Sequence, residues 1–270
     1  MLVLLETERL VLRRFTEADV DDLCDLDGDP EVMLFITGGE TTPRDVIRDE
    51  TLPRFIRAYE RFEGFGVWAA IERSTGEFLG WFEFYPPEGC GPEEAELGYR
   101  LRRSAWGKGY ATEGSRALIR KGFVDLDVQR VVAETMAVNA ASRRVMEKSG
   151  LTHVRTFHQE WPWRIEGDEH GDVEYALTKA DYRTTSCLDC LVNRLVQPTG
   201  SLPVLQTSKR GILRERSPLS SSLHKVQGAS CPEPEGHGRR FENATPFRWV
   251  HCTVRAYERG KRGGGRQADG

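Results

Sequence analysis

The chain has 270 residues, 39% of them hydrophobic and 30% charged, with a formal net charge of −4. That supports one good hydrophobic core. No window approaches the ~20 apolar residues of a membrane span, and MLVLLETERL lacks the basic start and apolar run of a secretory signal, so the expectation is a cytoplasmic protein with no membrane partner.

Charge divides the chain in two. Residues 1–183 hold 24 Lys and Arg against 35 Asp and Glu, a balance of −11, whereas residues 184–270 hold 14 against 7, a balance of +7. The second stretch contains SPLSSSLH, CPEPEGHGRR and RGKRGGGRQADG and shows no sustained period of 3.6 or 2. It reads as a disordered basic extension of a domain that occupies residues 1–183. Its basic residues are not interleaved with clustered aromatics, which argues against nucleic-acid binding. CLDC at 187–190 is a lone CxxC, and His224 and His237 are too scattered to complete a zinc pattern, so no metal is expected.

Within the body, ERLVLRRF (8–15) alternates as a strand should. Thr16 is a candidate N-cap for a helix carrying Val20, Leu23 and Leu26, with acidic residues crowding its first turns. A second helix is predicted after Thr42 with Pro43 at its first position, and Pro53 should kink or split it. GVWAAIE and EFLGWFEFYP, joined by RSTG, form a hairpin, and EAELGYRLR (94–102) adds a further strand. YATEGSRALIRKGFVDL is helical, with Ala117, Leu118, Phe123 and Val124 on one side. RVVAETMAV is strand, AASRRVMEKSG is helix stopped by Gly150, and THVRTFHQEW and DVEYALTKADY close the domain as strands. The order β-α-α-β-β-β-α-β-α-β-β is that of a mixed α/β layer fold.

Two glycines around a lysine, in AWGKGYATEG (105–114), stand between a strand and a helix. A helix N-terminus offers unpaired N–H groups and the positive end of the macrodipole, so a glycine approach can admit a phosphate; it can equally be a simple turn. A Walker A loop is excluded, because Arg102 stands where its first glycine should be and Gly109 replaces its hydroxyl residue.

That element order with a glycine cradle resembles the GNAT (GCN5-related N-acetyltransferase) superfamily, whose cradle reads Q/R-x-x-G-x-G/A. WGKGYA (106–111) matches it in Gly109 and Ala111, with Trp106 in the polar first place. Trp106, the AVNAASRRVMEKSGL segment (137–151), similar to N-x-x-S-x-x-V-x-x-K-x-G-F, and the opening TERLVLR resemble the ribosomal-protein N-acetyltransferase (RimJ/RimL-like) branch. The resemblance covers residues 1 to about 183 and implies a mostly antiparallel sheet flanked by helices. It also implies an acetyl-CoA-dependent enzyme acting on an amine, either a protein N-terminus or a small molecule. A homodimer stays open. The alternative is a catalytically inactive acyl-CoA-binding sensor or interaction module, since Met146 falls where many members carry a proton-donating tyrosine.

The resemblance assigns roles residue by residue. Trp106, Gly107, Lys108, Gly109, Tyr110 and Ala111 would wrap the CoA pyrophosphate, aided by Arg102 and Arg103. A strand bulge at Tyr99 to Leu101 would expose a backbone N–H to polarise the acetyl carbonyl. Glu96 would act as general base through water, with Glu83 as competitor. Ser142 is the hydroxyl placed to help the thiolate leave, and Asn139 would bond the pantetheine arm or a water. Trp161 and Trp163 lie in a loop that could bound the acceptor site, and an acidic body favours a cationic acceptor. His153 and His158 alternate to opposite faces or need a bulge, so they form no catalytic pair.

Overall fold

In the computed structural model, which describes residues 2–159 and 164–185, β-branched and aromatic runs assemble into one eight-stranded sheet of order β1-β2-β3-β4-β5-β6-β8-β7. The strands are β1 (Val3–Glu6), β2 (Leu10–Arg14), β3 (Gly66–Glu72), β4 (Phe78–Tyr85), β5 (Glu94–Leu101), β6 (Arg130–Met136), β7 (Thr152–Phe157) and β8 (Asp172–Thr178). Every pairing is antiparallel except β5 with β6. Trp161, Trp163, CLDC and the basic extension from residue 186 onward lie outside the described residues.

The central strands β3 and β4 are almost continuously apolar because both of their faces are covered. On one face, Phe82 and Phe84 fill the space over Gly114 and Gly122 of α5 (Tyr110–Asp125), where any Cβ would overlap a ring. On the other, Trp81 meets Phe55 at a ring separation of 5.8 Å, in α4 (Leu52–Ala58).

Several elements depart from expectation. The N-terminal strand is a hairpin, with β1 added outside β2. Thr16 begins a single 3-10 turn, its N–H donating to Asp19 Oδ2 at 2.7 Å, before α1 (Val20–Asp27). A separate α2 (Pro30–Thr37) follows, capped by Asp29 Oδ1 on the Glu31 N–H at 3.0 Å and ended by Gly38 at φ 74°. Pro43 is the N-cap of α3 (Arg44–Val46) and not its first residue. The helix does break at Pro53: residues Ile47–Thr51 form a π turn, with the Leu52 N–H bonded to the Ile47 carbonyl, so the ladder widens just before the proline that lacks a donor.

The buried side of α5 is Gly114, Ser115, Leu118, Ile119, Gly122 and Phe123, whereas Val124 is 59% exposed and belongs to the outer side. After β8 the chain turns helical over residues 179–185 where strand was expected, because Thr178 and Asp181 cap each other: Asp181 N–H to Thr178 Oγ1, 3.2 Å, and Thr178 Oγ1 to Asp181 Oδ2, 2.6 Å. Asn139 caps α6 (Ala140–Lys148) by accepting the Ser142 N–H at 3.1 Å, and Gly150 at φ 95° ends it.

Candidate active site

The one parallel pairing among the described strands is short. β5 and β6 are in register only from Glu94↔Arg130 to Glu96↔Val132, yet β5 continues to Leu101 and β6 to Met136. Beyond Glu96 the two strands part, and the sheet opens. A cavity of about 500 Å³ occupies this opening, lined by Leu97 to Leu101 on one side and Glu134 to Met136 on the other.

The direction of the β5 backbone follows from one bond. Arg102 donates its N–H to the Leu79 carbonyl of β4 at 2.8 Å, so by two-residue alternation Gly98 and Arg100 also face β4. The N–H groups of Tyr99 and Leu101 therefore point the other way, into the opening where β6 has withdrawn. The expected bulge is absent: β4 and β5 pair continuously from Gly80↔Leu101 to Tyr85↔Glu96. Splaying of the neighbouring strand, not a bulge, leaves these donors without a ladder partner.

Alternation also sorts the side chains. Glu83, Glu96, Gly98 and Arg100 share the face of Trp81, and Tyr99 shares the face of Phe82 and α5. Glu83 is 3% exposed and sits opposite Gly98; Glu96 is half-buried where the parallel pairing ends. Glu134, two residues beyond the end of the β5 pairing, and Asp172, opposite Met136 on β8, add cavity carboxylates that sequence reasoning missed. Arg100 supplies the counter-charge on this face, but its Nη1 is held 2.6 Å from Asp27 Oδ1 in a buried pair.

On the opposite face Tyr99 and Ser142 meet. The Tyr99 hydroxyl lies 2.9 Å from Ser142 Oγ and 3.0 Å from the Ser142 carbonyl oxygen. Burial pushes the phenol up to about 12, against a smaller opposing pull from the Ser142 bond. Met146, one turn further, is buried.

The mouth of the cavity is the start of α5. Gly107 and Gly109 take φ 70° and 86°, a conformation that side chains resist, and an added Cβ would find nothing within 4 Å at Gly107 and only Arg9 Nη2, 3.4 Å away, at Gly109. The space is open and the first amides of the helix face it, a combination that fits a phosphate. Trp106 is 47% exposed there, and its indole N–H donates to the Leu101 carbonyl at 2.8 Å, which explains an aromatic residue in the polar place.

The structure gathers Glu83, Glu96, Tyr99, Leu101, Asn139 and Ser142 around the cavity, together with Trp106, Gly107, Gly109 and Ala111. It does not bring Arg102, Arg103, Lys108 or Tyr110 to its wall. Arg102 Nη2 pairs with Asp22 of α1 at 3.0 Å, and Arg103 pairs with Glu31 of α2, which itself lines the cavity. The Tyr110 hydroxyl donates to Glu72, and its ring lies 4.5 Å beneath the Arg9 guanidinium. Lys108 contributes its carbonyl, which accepts from Arg9 Nη1 at 2.9 Å. Arg9 is thus a cradle support unrecognised in the sequence. Its partner Glu113 accepts from the Thr7 hydroxyl (2.6 Å), the Arg9 N–H (2.9 Å) and Arg9 Nε (2.7 Å), tying the β1–β2 loop to the first turn of α5.

Among the described residues no cluster of three or more His, Cys, Asp or Glu is placed to hold a metal, and no helix is long and apolar enough to cross a membrane. Backbone donors inside a split sheet, with helix amides at its mouth, make up a site for group transfer from a phosphate-bearing carrier.

Residues 9–152 match the model of the acetyltransferase (GNAT) domain. The chain is 35% identical over 185 residues to the FsC-acetyl coenzyme A-N(2)-transacetylase of Aspergillus fumigatus, covering 66% of this chain and 77% of that protein. Among solved structures, the RimL ribosomal L7/L12 alpha-N-protein acetyltransferase in complex with coenzyme A superposes with a TM-score of 0.53 at 23% identity, covering 65% of this chain and 97% of that one. The spermidine N-acetyltransferase of Vibrio cholerae, in complex with CoA and spermine, gives 0.53 at 14%, covering 66% and 99%. The chain belongs to the GNAT acetyltransferase domain family and is an acyltransferase, and the co-substrate that the family uses is acetyl-CoA.

Proposed function

We propose that this protein transfers the acetyl group of acetyl-CoA to the nitrogen of a small primary amine in the opening between β5 and β6. The observation that carries the reading is the parting of the two strands after Glu96↔Val132, which frees the Tyr99 and Leu101 N–H groups between a carboxylate-lined face and the Ser142 face.

Acetyl-CoA, when bound, supplies an acetyl group activated as a thioester. The amides that open α5 hold its pyrophosphate, and Asn139 bonds the pantetheine arm or a water. The Tyr99 and Leu101 N–H groups bond the acetyl carbonyl oxygen, where negative charge grows. An amine reaches the site as an ammonium and must lose a proton to attack. Glu96, half-buried and so still open to water, takes that proton through a bridging water, while Glu83 and Glu134 hold the cation on the same face. Ser142 stands on the other face, as a hydrogen-bond donor for the departing sulfur.

A small amine is taken over a peptide N-terminus because the relative at 35% identity is named an FsC-acetyl coenzyme A-N(2)-transacetylase and not a protein N-terminal acetyltransferase, whereas the RimL structure at 23% supports the fold alone. The test is acetyl-CoA turnover, read as free thiol, over small primary amines and peptides with free α-amines. Release with small amines is expected. Release with peptides alone would move the chain to the ribosomal-protein branch, and no amine-dependent release would contradict the reading.

A further inference from the structure

Ser142 is held at three of its atoms. Its N–H donates to Asn139 Oδ1 at 3.1 Å, its carbonyl oxygen lies 3.0 Å from the Tyr99 hydroxyl, and its Oγ lies 2.9 Å from the same hydroxyl. The phenol has one proton for two acceptors. When it donates to the Ser142 carbonyl, the Ser142 hydroxyl donates back to Tyr99; when it donates to Ser142 Oγ, the Ser142 proton is released to turn elsewhere. The two arrangements differ by rotation of two hydroxyl hydrogens and need no heavy-atom movement. Both residues line the cavity, so the released proton has the cavity to turn into.

We propose that Tyr99 is a positioning residue that turns the Ser142 hydroxyl proton toward the sulfur of bound CoA. This rests on the acetyl-CoA reading of the site. One residue then serves both ends of the thioester: its backbone N–H faces the carbonyl oxygen, and its phenol acts through Ser142 on the sulfur. No proton changes owner. Ser142 keeps its hydrogen, Tyr99 keeps its own, and the sulfur leaves as a thiolate that accepts a hydrogen bond. A phenol is protonated at neutral pH, and burial moves it further up, so it remains a donor throughout. Met146 has no donor for this task, and the Tyr99–Ser142 pair fills the need from a strand instead of the helix.

A donor aimed at sulfur must make the bound thiol more acidic, which can be read without turnover. We would titrate CoA bound to the wild-type protein, to Tyr99→Phe and to Ser142→Ala by thiolate absorbance, with affinities for CoA and for desulfo-CoA measured by calorimetry. In the wild type the bound thiol should titrate below free CoA. Each variant should raise its proton affinity by about tenfold, one pH unit, with desulfo-CoA binding little changed. In turnover with an amine, kcat should fall in both variants with little change in KM for acetyl-CoA, and the double variant should be no worse than Ser142→Ala alone. A purely structural staple would alter desulfo-CoA binding and leave the thiol titration where it was. CoA bound normally with an unmoved titration in Tyr99→Phe overturns the proposal. Should that variant not fold, an unmoved titration in Ser142→Ala does so. Failure of the wild type to bind CoA would overturn the cradle reading and this proposal together.

Discussion

Gly98 on β5 lies directly opposite Glu83 on β4, and a Cβ added to it would stand 3.2 Å from Glu83 Oε2 and 3.3 Å from Glu83 Cβ. The missing side chain gives the buried Glu83 carboxylate its seat against the β5 backbone. Gly98→Ala must push Glu83 aside by a few tenths of an ångström, at a cost of about 1 kcal/mol in stability. We expect a larger effect on kcat than on CoA affinity, since this contact lies among the carboxylates and not among the amides that open α5. Denaturant unfolding and steady-state kinetics check both halves.

The carboxylates separate by variant. Glu96→Gln keeps size and CoA binding and should lower kcat by roughly 10²-fold, with partial recovery at high pH as more acceptor arrives neutral. Glu83→Gln should cost less. The pH–rate profiles of the two variants decide: an unchanged profile in Glu96→Gln contradicts its role as base, and a deeper defect in Glu83→Gln moves the role to β4.

Gly109 carries a conformational demand and an open approach together. Gly109→Asp puts a carboxylate where backbone must meet phosphate, so CoA affinity should fall by at least ~1.4 kcal/mol, about tenfold. Stability should change less, because aspartate tolerates positive φ better than most side chains. Calorimetry with an unchanged CoA affinity in the folded variant would reduce this segment to a turn.

Glu113 makes the clamp between the β1–β2 loop and α5 dependent on pH. Burial raises its carboxyl, but the bonds from Thr7 and Arg9 outweigh burial and hold it below the usual carboxylate range. A lowered value means that the clamp is fully present above the unfolded-state value of about 4.3 and is lost as pH falls through the folded one. Glu113→Gln should therefore be less stable than the wild type by about 1–3 kcal/mol at pH 7, and the gap should narrow in acid. Unfolding curves at neutral and acid pH measure that gap.

Much of this architecture is readable from local signals. The RSTG hairpin, the Gly150 stop and the break at Pro53 each follow from one residue with a strong backbone preference, and each is present. Gly107 and Gly109 stand between β5 and α5 for the same reason. What escaped has a common cause: it depends on residues far apart in the chain. α2 is the exception: a short, well-capped helix whose apolar run over residues 32–36 offers no amphipathic stripe to recognise. Arg102 and Arg103 stand beside the cradle, and their ion pairs with acidic residues about 70–80 positions earlier have no local signal. Glu134 reads as an ordinary strand carboxylate until β6 parts from β5. The pairing of Tyr99 with Ser142 spans 43 residues and has no periodicity to announce it.

The central claim is that the opening between β5 and β6 is where the acetyl group changes hands. A crystal structure of this protein with CoA tests it most directly. The account predicts phosphate oxygens within hydrogen-bond distance of the amides from Gly107 to Thr112, and the sulfur in the opening within reach of Ser142 Oγ, with the Tyr99 and Leu101 N–H groups facing the same space. CoA seated on any other surface, or a sulfur lying outside the gap between β5 and β6, would contradict it.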